Sequence, residues 1–518
     1  MKKYLFTAAL LLSAMAGSAQ ETYENAKIVT EDLNGTARYV GMGGAMDALG
    51  ADISTIGTNP AGIGLFRRSS ANVSFGLVSQ QDGQAFAEGK KTNMSFDQAG
   101  FVWAMKSGQS SYLNFAFNYH KSRNFDYILS AAGQLNNASQ NKLTYDKAYH
   151  KLLFPDNASG VPDHTRPYAS CSQLDYMYAD GWNYNSNENT WYYAPATAYT
   201  LDRAHKGYIG EYDFNLSGNH RDRIYWGFTV GIHDVNYKHY GEYREQIDDT
   251  EVGAMQVADE RKIDGTGFDI KAGIIFRPIE ASPFRIGLSV HTPTWYDLTT
   301  SNYTVISDNS GFSRNSGESY DFKLYTPWRF GLSLGHTVGN YLALGASYEF
   351  ADYGSIDTRY NTGEYVDYWY GSVSTSSASD DVMNRHTEQT LKGVSTLKLG
   401  AEYRPIPELA LRVGYNYVSP MYEKEGFKDG TLQTDGSYYS SATDYTNWES
   451  TNRFTCGLGY NVGQLSLDVA YQYSAQNGKF TPFMGYVNSE VPDLNNVANP
   501  VDVSNKRHQV LFTLGYKF

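Results

Sequence analysis

Few residues in this chain have the types and spacing that chemistry at a site requires. Its 11 histidines show no metal-ligand spacing, and neither a His-Glu-x-x-His nor a Cys-x-x-Cys run occurs, so no metal and no cofactor are expected. A nucleophile-elbow Gly-x-Ser-x-Gly and a phosphate-binding Gly-x-x-x-x-Gly-Lys loop are also absent. His120 and His233 fall on polar strand positions without an assignable Ser-and-carboxylate set, and there they read as lumen hydrogen-bonders. Asp248-Asp249 and Asp380-Asp381 read as solvated loop charge. The chain is therefore not expected to be an enzyme. What remains is a set of charges on otherwise alternating segments. Arg329, Lys398 and Arg412 could hold an acidic headgroup, or could pair with Glu402, Glu349 or Asp468 to anchor a neighbouring segment. Pairing is the default for any single one, because buried charges need partners.

The elements that position these charges have a period of two. Phe115-Ala116-Phe117-Asn118-Tyr119 and Val510-Leu511-Phe512-Thr513-Leu514-Gly515-Tyr516 alternate apolar and polar residues, so each strand shows one greasy and one wet face. Alternation predicts fourteen strands near 71–80, 96–106, 112–122, 207–217, 223–236, 266–277, 283–293, 326–336, 341–352, 395–404, 408–418, 452–461, 464–474 and 506–518. Short connectors such as 107–111, 219–222, 277–282, 336–340, 404–408 and 461–463 carry Gly, Pro, Asn or Asp, which tight turns need. They alternate with long ones near 123–206, 237–265, 294–325, 353–394, 419–451 and 475–505. That pattern predicts an all-β fold: a 14-stranded antiparallel transmembrane β-barrel, residues 70–518, with long external loops and both termini in the periplasm. Charge on the lipid face would cost about 2–4 kcal/mol at mid-membrane, so the strand charges should face the lumen. The segment Arg244 to Arg261 is read as a short helix around Ile247, Val252, Met255 and Val257.

Composition agrees. Aromatics make up 15% of 518 residues, with 44 Tyr and 49 Gly, yet the charged fraction is 19%. Past the N-terminus no apolar run reaches the ~20 residues of a spanning helix. Residues 1–19, with Lys2 and Lys3, an apolar stretch and Gly17-Ser18-Ala19, read as a cleaved signal peptide that directs export to a bacterial outer membrane. The net charge of -13 and the lack of a basic aromatic groove argue against nucleic acid. Cys171 and Cys456 lie far apart, and no structural disulfide is expected. The chain is expected to be a monomer among outer-membrane lipids.

Residues 20–69 do not alternate. They are rich in small residues and end in a rigid turn at Asn59-Pro60-Ala61-Gly62, where Pro60 fixes φ and Asn59 can bond its own backbone. A compact plug in the lumen fits them, since fourteen strands enclose more space than side chains fill. The run from Gly41 through Asp47-Ala48 to Asn59-Pro60-Ala61-Gly62 resembles the N-terminal hatch of the FadL/TodX family of outer-membrane transporters. Thr326 to Leu332 and Leu344 to Phe350 are further partial matches. Leu514-Gly515-Tyr516-Lys517-Phe518 resembles the signal read by the barrel-assembly machinery. The resemblance implies a hatch-gated barrel that moves hydrophobic small molecules, foremost long-chain fatty acids. Another hydrophobic ligand (an aromatic hydrocarbon or haem) and a surface-interaction barrel remain as alternatives. Two features depart from the family: the very long Tyr/Asn-rich connector at 123–206, and external loops without a pair of strongly apolar helices.

Overall fold

The computed structural model describes residues 21–249, 252–367, 372–434, 438–487 and 491–518. The expected signal peptide, 1–19, lies outside the described residues. Fourteen antiparallel strands close on themselves. They are β1 (Ser70–Gln80), β2 (Thr92–Lys106), β3 (Tyr112–Asn124), β4 (Ala196–His220), β5 (Ile224–Ile247), β6 (Ala254–Phe276) and β7 (Arg285–His291), followed by β8 (Arg329–Val338), β9 (Leu342–Asp352), β10 (Gly393–Ile406), β11 (Leu409–Val418), β12 (Tyr445–Val462), β13 (Leu465–Thr481) and β14 (Val501–Lys517). Each pairs with the next, and β14 pairs with β1 from Ser70↔Lys517 to Gln80↔Arg507, which closes the barrel. No sheet edge is left open at the seam, as a wall facing lipid requires.

The alternation sorts lipid from lumen. On β12, Phe454, Cys456 and Leu458 are exposed outward while Arg453 and Thr455 are buried inward. Trp103, Trp226 and Trp328 are likewise exposed. The charges Asp269, Lys271, Lys398, Glu402, Arg412 and Asp468 are all buried on the inner face. Both cysteines are free. Among the described residues no helix is long and apolar enough to cross a membrane.

Six tight connections lie on the rim that holds Ser70 and Lys517. At the β12–β13 turn, Gly463 takes φ 60°, a left-handed conformation that an L side chain rarely adopts. The opposite rim differs from the sequence expectation. The 237–265 connector and the helix at 244–261 are instead strand: β5 and β6 stay paired from Ile224↔Phe276 to Gln246↔Ala254. A 24-residue strand rises roughly 80 Å at about 3.3 Å per residue, whereas ~9–11 tilted residues cross the hydrocarbon. The rest forms a wall beyond the membrane. Met255 and Val257, assigned to that helix with Ile247 and Val252, stand two residues apart, the strand period, and both are buried on that wall.

The other long connectors are also structured. Tyr127–Ala138 extends the sheet on β4, and the Trp295–Asp308/Ser313–Tyr325 hairpin extends it on β6. A further hairpin, Asp357–Asp367/Ser372–Ser379, pairs with Ser313–Tyr325. Helices from these connectors fold over the mouth as a cap. Leu143, Leu174, Met177, Tyr243, Phe480 and Phe483 share its apolar core.

Inside the barrel, the N-terminal segment carries α1 (Thr22–Ile28) and α2 (Ala37–Gly41), followed by two 3-10 turns, Ile53–Gly57 and Pro60–Leu65. The cap carries α3 (Gln140–Tyr149), α4 (Gln173–Tyr178) and α5 (Asp381–Thr390). In α3, burial pushes the Asp146 carboxyl up to about 7, against the opposing pull of Lys142. A raised acid holds its proton when folded but releases it when unfolded. Cap stability from this group is therefore greatest below the ordinary carboxylate range and falls as pH rises from about 4 to about 7. Asp146→Asn should remove that fall. Hydrogen exchange in 140–149, corrected for intrinsic rate, should slow in the variant at pH 8 and stay unchanged at pH 4.

Candidate functional site

The N-terminal segment threads the lumen from cap to opposite rim. Its first described residues reach the cap: Thr22 Oγ1 lies 2.9 Å from His386 Nδ1 and 2.8 Å from Thr387 Oγ1 on α5, and Asn25 bonds Thr358 at 2.8 Å. Its other end packs beside the β4–β5 turn, where Asn219 Nδ2 donates to the Gly64 carbonyl at 3.3 Å. The even strand count puts Ser70 and Lys517 on one rim, but parity does not govern a segment that threads the lumen. Glu21 accordingly sits by Lys428 on the cap side.

Asn59, Pro60, Ala61 and Gly62 form the tight turn near the lower end of this segment. Asn59 Oδ1 accepts from the Ala61 amide at 3.2 Å, and the Asn59 carbonyl accepts from the Gly62 amide at 2.9 Å. Pro60 opens the 3-10 turn, where its missing N–H removes no bond. All four are buried. They sit against wall glycines: a Cβ added at Gly227 would strike the Pro60 backbone, and one at Gly273 would strike the Asn59 side chain. The same holds higher up. A Cβ at Gly345, Gly400 or Gly414 would strike the backbone of Ala45, Met42 or Gly43. The lumen phase of each of these strands thus places a glycine where the segment's backbone passes.

Ion pairs reinforce this contact. Arg329 on β8 meets Glu31 of the segment at 2.7 Å. Lys398 on β10 stands 3.6 Å from Asp47 of the segment and 3.9 Å from Glu349 on β9. Glu402 takes Arg38 of the segment at 3.0 Å, Arg412 at 2.7 Å and Arg404 at 2.8 Å, and Arg412 also binds Asp468 at 2.6 Å. All six charges identified from sequence therefore engage ion pairs in two groups, one around Lys398 and Arg329 and one around Glu402. None is left as a lone cation facing open lumen.

Between segment, wall and cap lies a cavity of about 300 Å³, at the lower end of the size range of small-molecule sites. Its upper wall is aromatic. Tyr23 stacks on Tyr422 with centroids 5.2 Å apart, and Tyr127 meets Trp448 edge-on at 5.8 Å. Tyr445 and Met421 also line it. Five arginines line the same cavity: Arg203 and Arg329 are held by Asp444 and Glu31, and the other three are Arg123 on β3, Arg453 on β12 and Arg507 on β14. Asp32 meets Arg123 at 3.1 Å and Arg453 at 3.8 Å. Arg507 bonds Asn505 and the Asn124 carbonyl, at 3.0 and 3.2 Å, rather than a carboxylate. Around Asp32 three guanidinium groups thus converge on one carboxylate, while over the whole lining cationic and anionic side chains balance. Sequence reading passed over these three, although each sits in the lumen phase of its strand, because their convergence depends on which strands face each other across the closed barrel.

No protein-family model matches the chain, and no curated protein matches it. Solved structures do. A FadL homologue from Pseudomonas aeruginosa is 12% identical with a TM-score of 0.51, covering 94% of this chain and 99% of that one. The CymD monoaromatic hydrocarbon channel is 9% identical (TM-score 0.47, 95% and 98% covered), and the Pseudomonas putida toluene transporter TodX is 10% identical (0.46, 94% and 99%). The first of these shows that the chain shares the FadL-type fold, a closed 14-stranded barrel with an N-terminal segment inside.

Proposed function

We propose that this barrel carries hydrophobic small molecules, foremost long-chain fatty acids, across a bacterial outer membrane. In this reading residues 20–69 act as the plug and 70–518 as the barrel. The observation that supports it is the cavity between plug and cap, where an aromatic wall faces Arg123, Arg453 and Arg507 gathered around the single carboxylate of Asp32. An amphiphilic acid has the matching halves: a carboxylate for Arg453 and Arg507, and a chain for Tyr127, Tyr422 and Trp448. Guanidinium forks suit carboxylates through bidentate hydrogen bonds. Asn59 to Gly62 hold the plug's lower turn, while Arg329, Lys398, Glu402 and their partners fix its height in the lumen. The fold of the Pseudomonas aeruginosa FadL homologue is compatible with this function.

The test is mass spectrometry of small molecules that co-purify with the detergent-extracted protein. Fatty acids should be enriched over the bulk membrane extract. The double variant Arg453→Gln/Arg507→Gln should retain about tenfold less or lower still, since a hydrogen bond to a charged group contributes about 1.5–3 kcal/mol. Reproducible recovery of haem in place of acids would overturn the substrate.

A further inference from the structure

A second cluster lies outside this cavity's aromatic wall, on the inner face of β3 to β6. Strand register builds it. Glu211 on β4 lies directly opposite His120 on β3 and His233 on β5, so three side chains form one row across three strands. Directly opposed residues have Cβ atoms about 4.5–5.5 Å apart, within reach of a common centre. Asp213 on β4 and Asp269 on β6 both stand opposite Gly231, whose missing side chain leaves them the space between. Lys271 on β6 bonds Glu211 directly, reaches Asp213 at 3.0 Å and stands 3.6 Å from Asp269.

Charge and hydrogen bonding both leave this cluster incomplete. Three carboxyl groups, Glu211, Asp213 and Asp269, surround the single ammonium of Lys271, an acidic excess. The neighbouring Glu31 and Arg329 neutralise each other. Glu211, Asp213, His233, Asp269 and Lys271 are at most 2% exposed. Uncompensated charge at such depth is very costly. Neither ring nitrogen of His233 has a hydrogen-bond partner, and Asp213 Oδ2 and Asp269 Oδ1 also lack one. Both His233 nitrogens nevertheless point at carboxylates, Nε2 at 3.3 Å from Asp269 Oδ2 and Nδ1 at 3.8 Å from Glu211 Oε2. His120 Nε2 stands 3.5 Å from Glu211 Oε2.

An imidazole gives one nitrogen to a given ion, so the spacing that matters is that of one His233 nitrogen with one oxygen each of Glu211 and Asp269. With bonds of about 2.0–2.1 Å, the ligand atoms of a tetrahedral zinc site lie about 3.3–3.4 Å from one another. The nearest ligand atoms of Glu211, His233 and Asp269 all lie within 4.8 Å of one another. A divalent cation also offsets that acidic excess, and imidazole with carboxylate selects a zinc-like transition metal over calcium or magnesium. We propose that Glu211, His233 and Asp269, with His120 beside them, bind one such cation in the barrel wall under the plug. Lys271 then keeps Asp213 as its partner. The site abuts the plug: a Cβ on Gly57 would lie 3.4 Å from His120 Cε1. An ion held there joins four strands beneath the Ile53–Gly57 turn and stiffens the seat on which that turn rests.

The test is cobalt titration of the full-length protein in detergent after chelator stripping. The expected result is saturation near one cobalt per chain, intense visible absorption of a low-coordinate ion, and displacement by zinc. His233→Ala should weaken binding by about tenfold or more, on the scale seen when groups supporting a metal site are removed. Asp269→Asn serves the same purpose where His233→Ala does not yield a folded barrel. A folded wild-type protein with no saturable site would overturn the proposal, and so would a folded variant that binds as tightly as wild type. Neither result bears on fatty-acid recovery, so this proposal and the transport reading fail separately.

Discussion

Gly400→Leu is expected to unseat the plug and turn a closed barrel into a conducting pore. Gly400 faces the lumen on β10, and even a Cβ there would strike the Met42 carbonyl oxygen. The wall cannot retreat, because β10 is hydrogen-bonded along its length to β9 and β11. The plug must give way instead. Overpacking a close-packed contact costs about 1–3 kcal/mol where side chains can adjust, and here the obstacle is backbone on both sides. Planar-bilayer recordings should show steady conductance in the variant and brief or no openings in wild type. Ala401→Leu is the control. One residue further along a strand the side chain points to the other face, so its added carbons enter lipid and the barrel should stay closed. Equal conductance in both variants would contradict this account of the glycine contacts.

Glu402→Gln should loosen the same plug electrostatically, and more than removal of its plug-borne partner. Glu402 is buried and receives Arg38, Arg404 and Arg412 at once. Its neutralisation leaves three guanidinium groups with Asp468, which binds Arg412, as the remaining carboxylate partner. Removing one partner of a buried pair costs about 3–5 kcal/mol, which corresponds to a hundredfold or greater rise in local opening at about 1.4 kcal/mol per decade. Hydrogen exchange over 36–42 reads this directly. Arg38→Met should do less, because Glu402 keeps two cations and no buried charge is stranded. A larger effect from Arg38→Met would reassign the anchor to Arg38's other bond, its 2.9 Å contact with the Ala51 carbonyl.

The barrel was legible in the sequence because lipid on one side and lumen on the other impose a two-residue period, and because short turns punctuate it. Legibility ended where lipid ended. Beyond the membrane β5 and β6 meet water on their outer face, so their strands lose the greasy phase, and Met255 and Val257 could be taken for a helix. The site divides the same way. Asn59-Pro60-Ala61-Gly62 is local, and its turn geometry can be read from residue types. The inward phase of Arg329, Lys398 and Arg412 is local too. Their partners are not: Glu31 and Asp47 come from a segment whose height in the lumen follows from the whole packing. His120, Glu211 and His233 form a row by register alone, over 113 positions of chain from first to last, which no local spacing reveals.

On the proposed function, the barrel is closed to water-soluble solutes yet open to greasy acids. Cells lacking their own long-chain fatty-acid channel, supplied with this barrel in the outer membrane, test it in a single dual-label uptake assay with a fatty acid and a small sugar. The expected result is fatty-acid entry that depends on the barrel and falls in Arg453→Gln/Arg507→Gln, with sugar entry at the background rate. Sugar entry at porin-like rates, with fatty-acid entry no faster than in cells without the barrel, would contradict it.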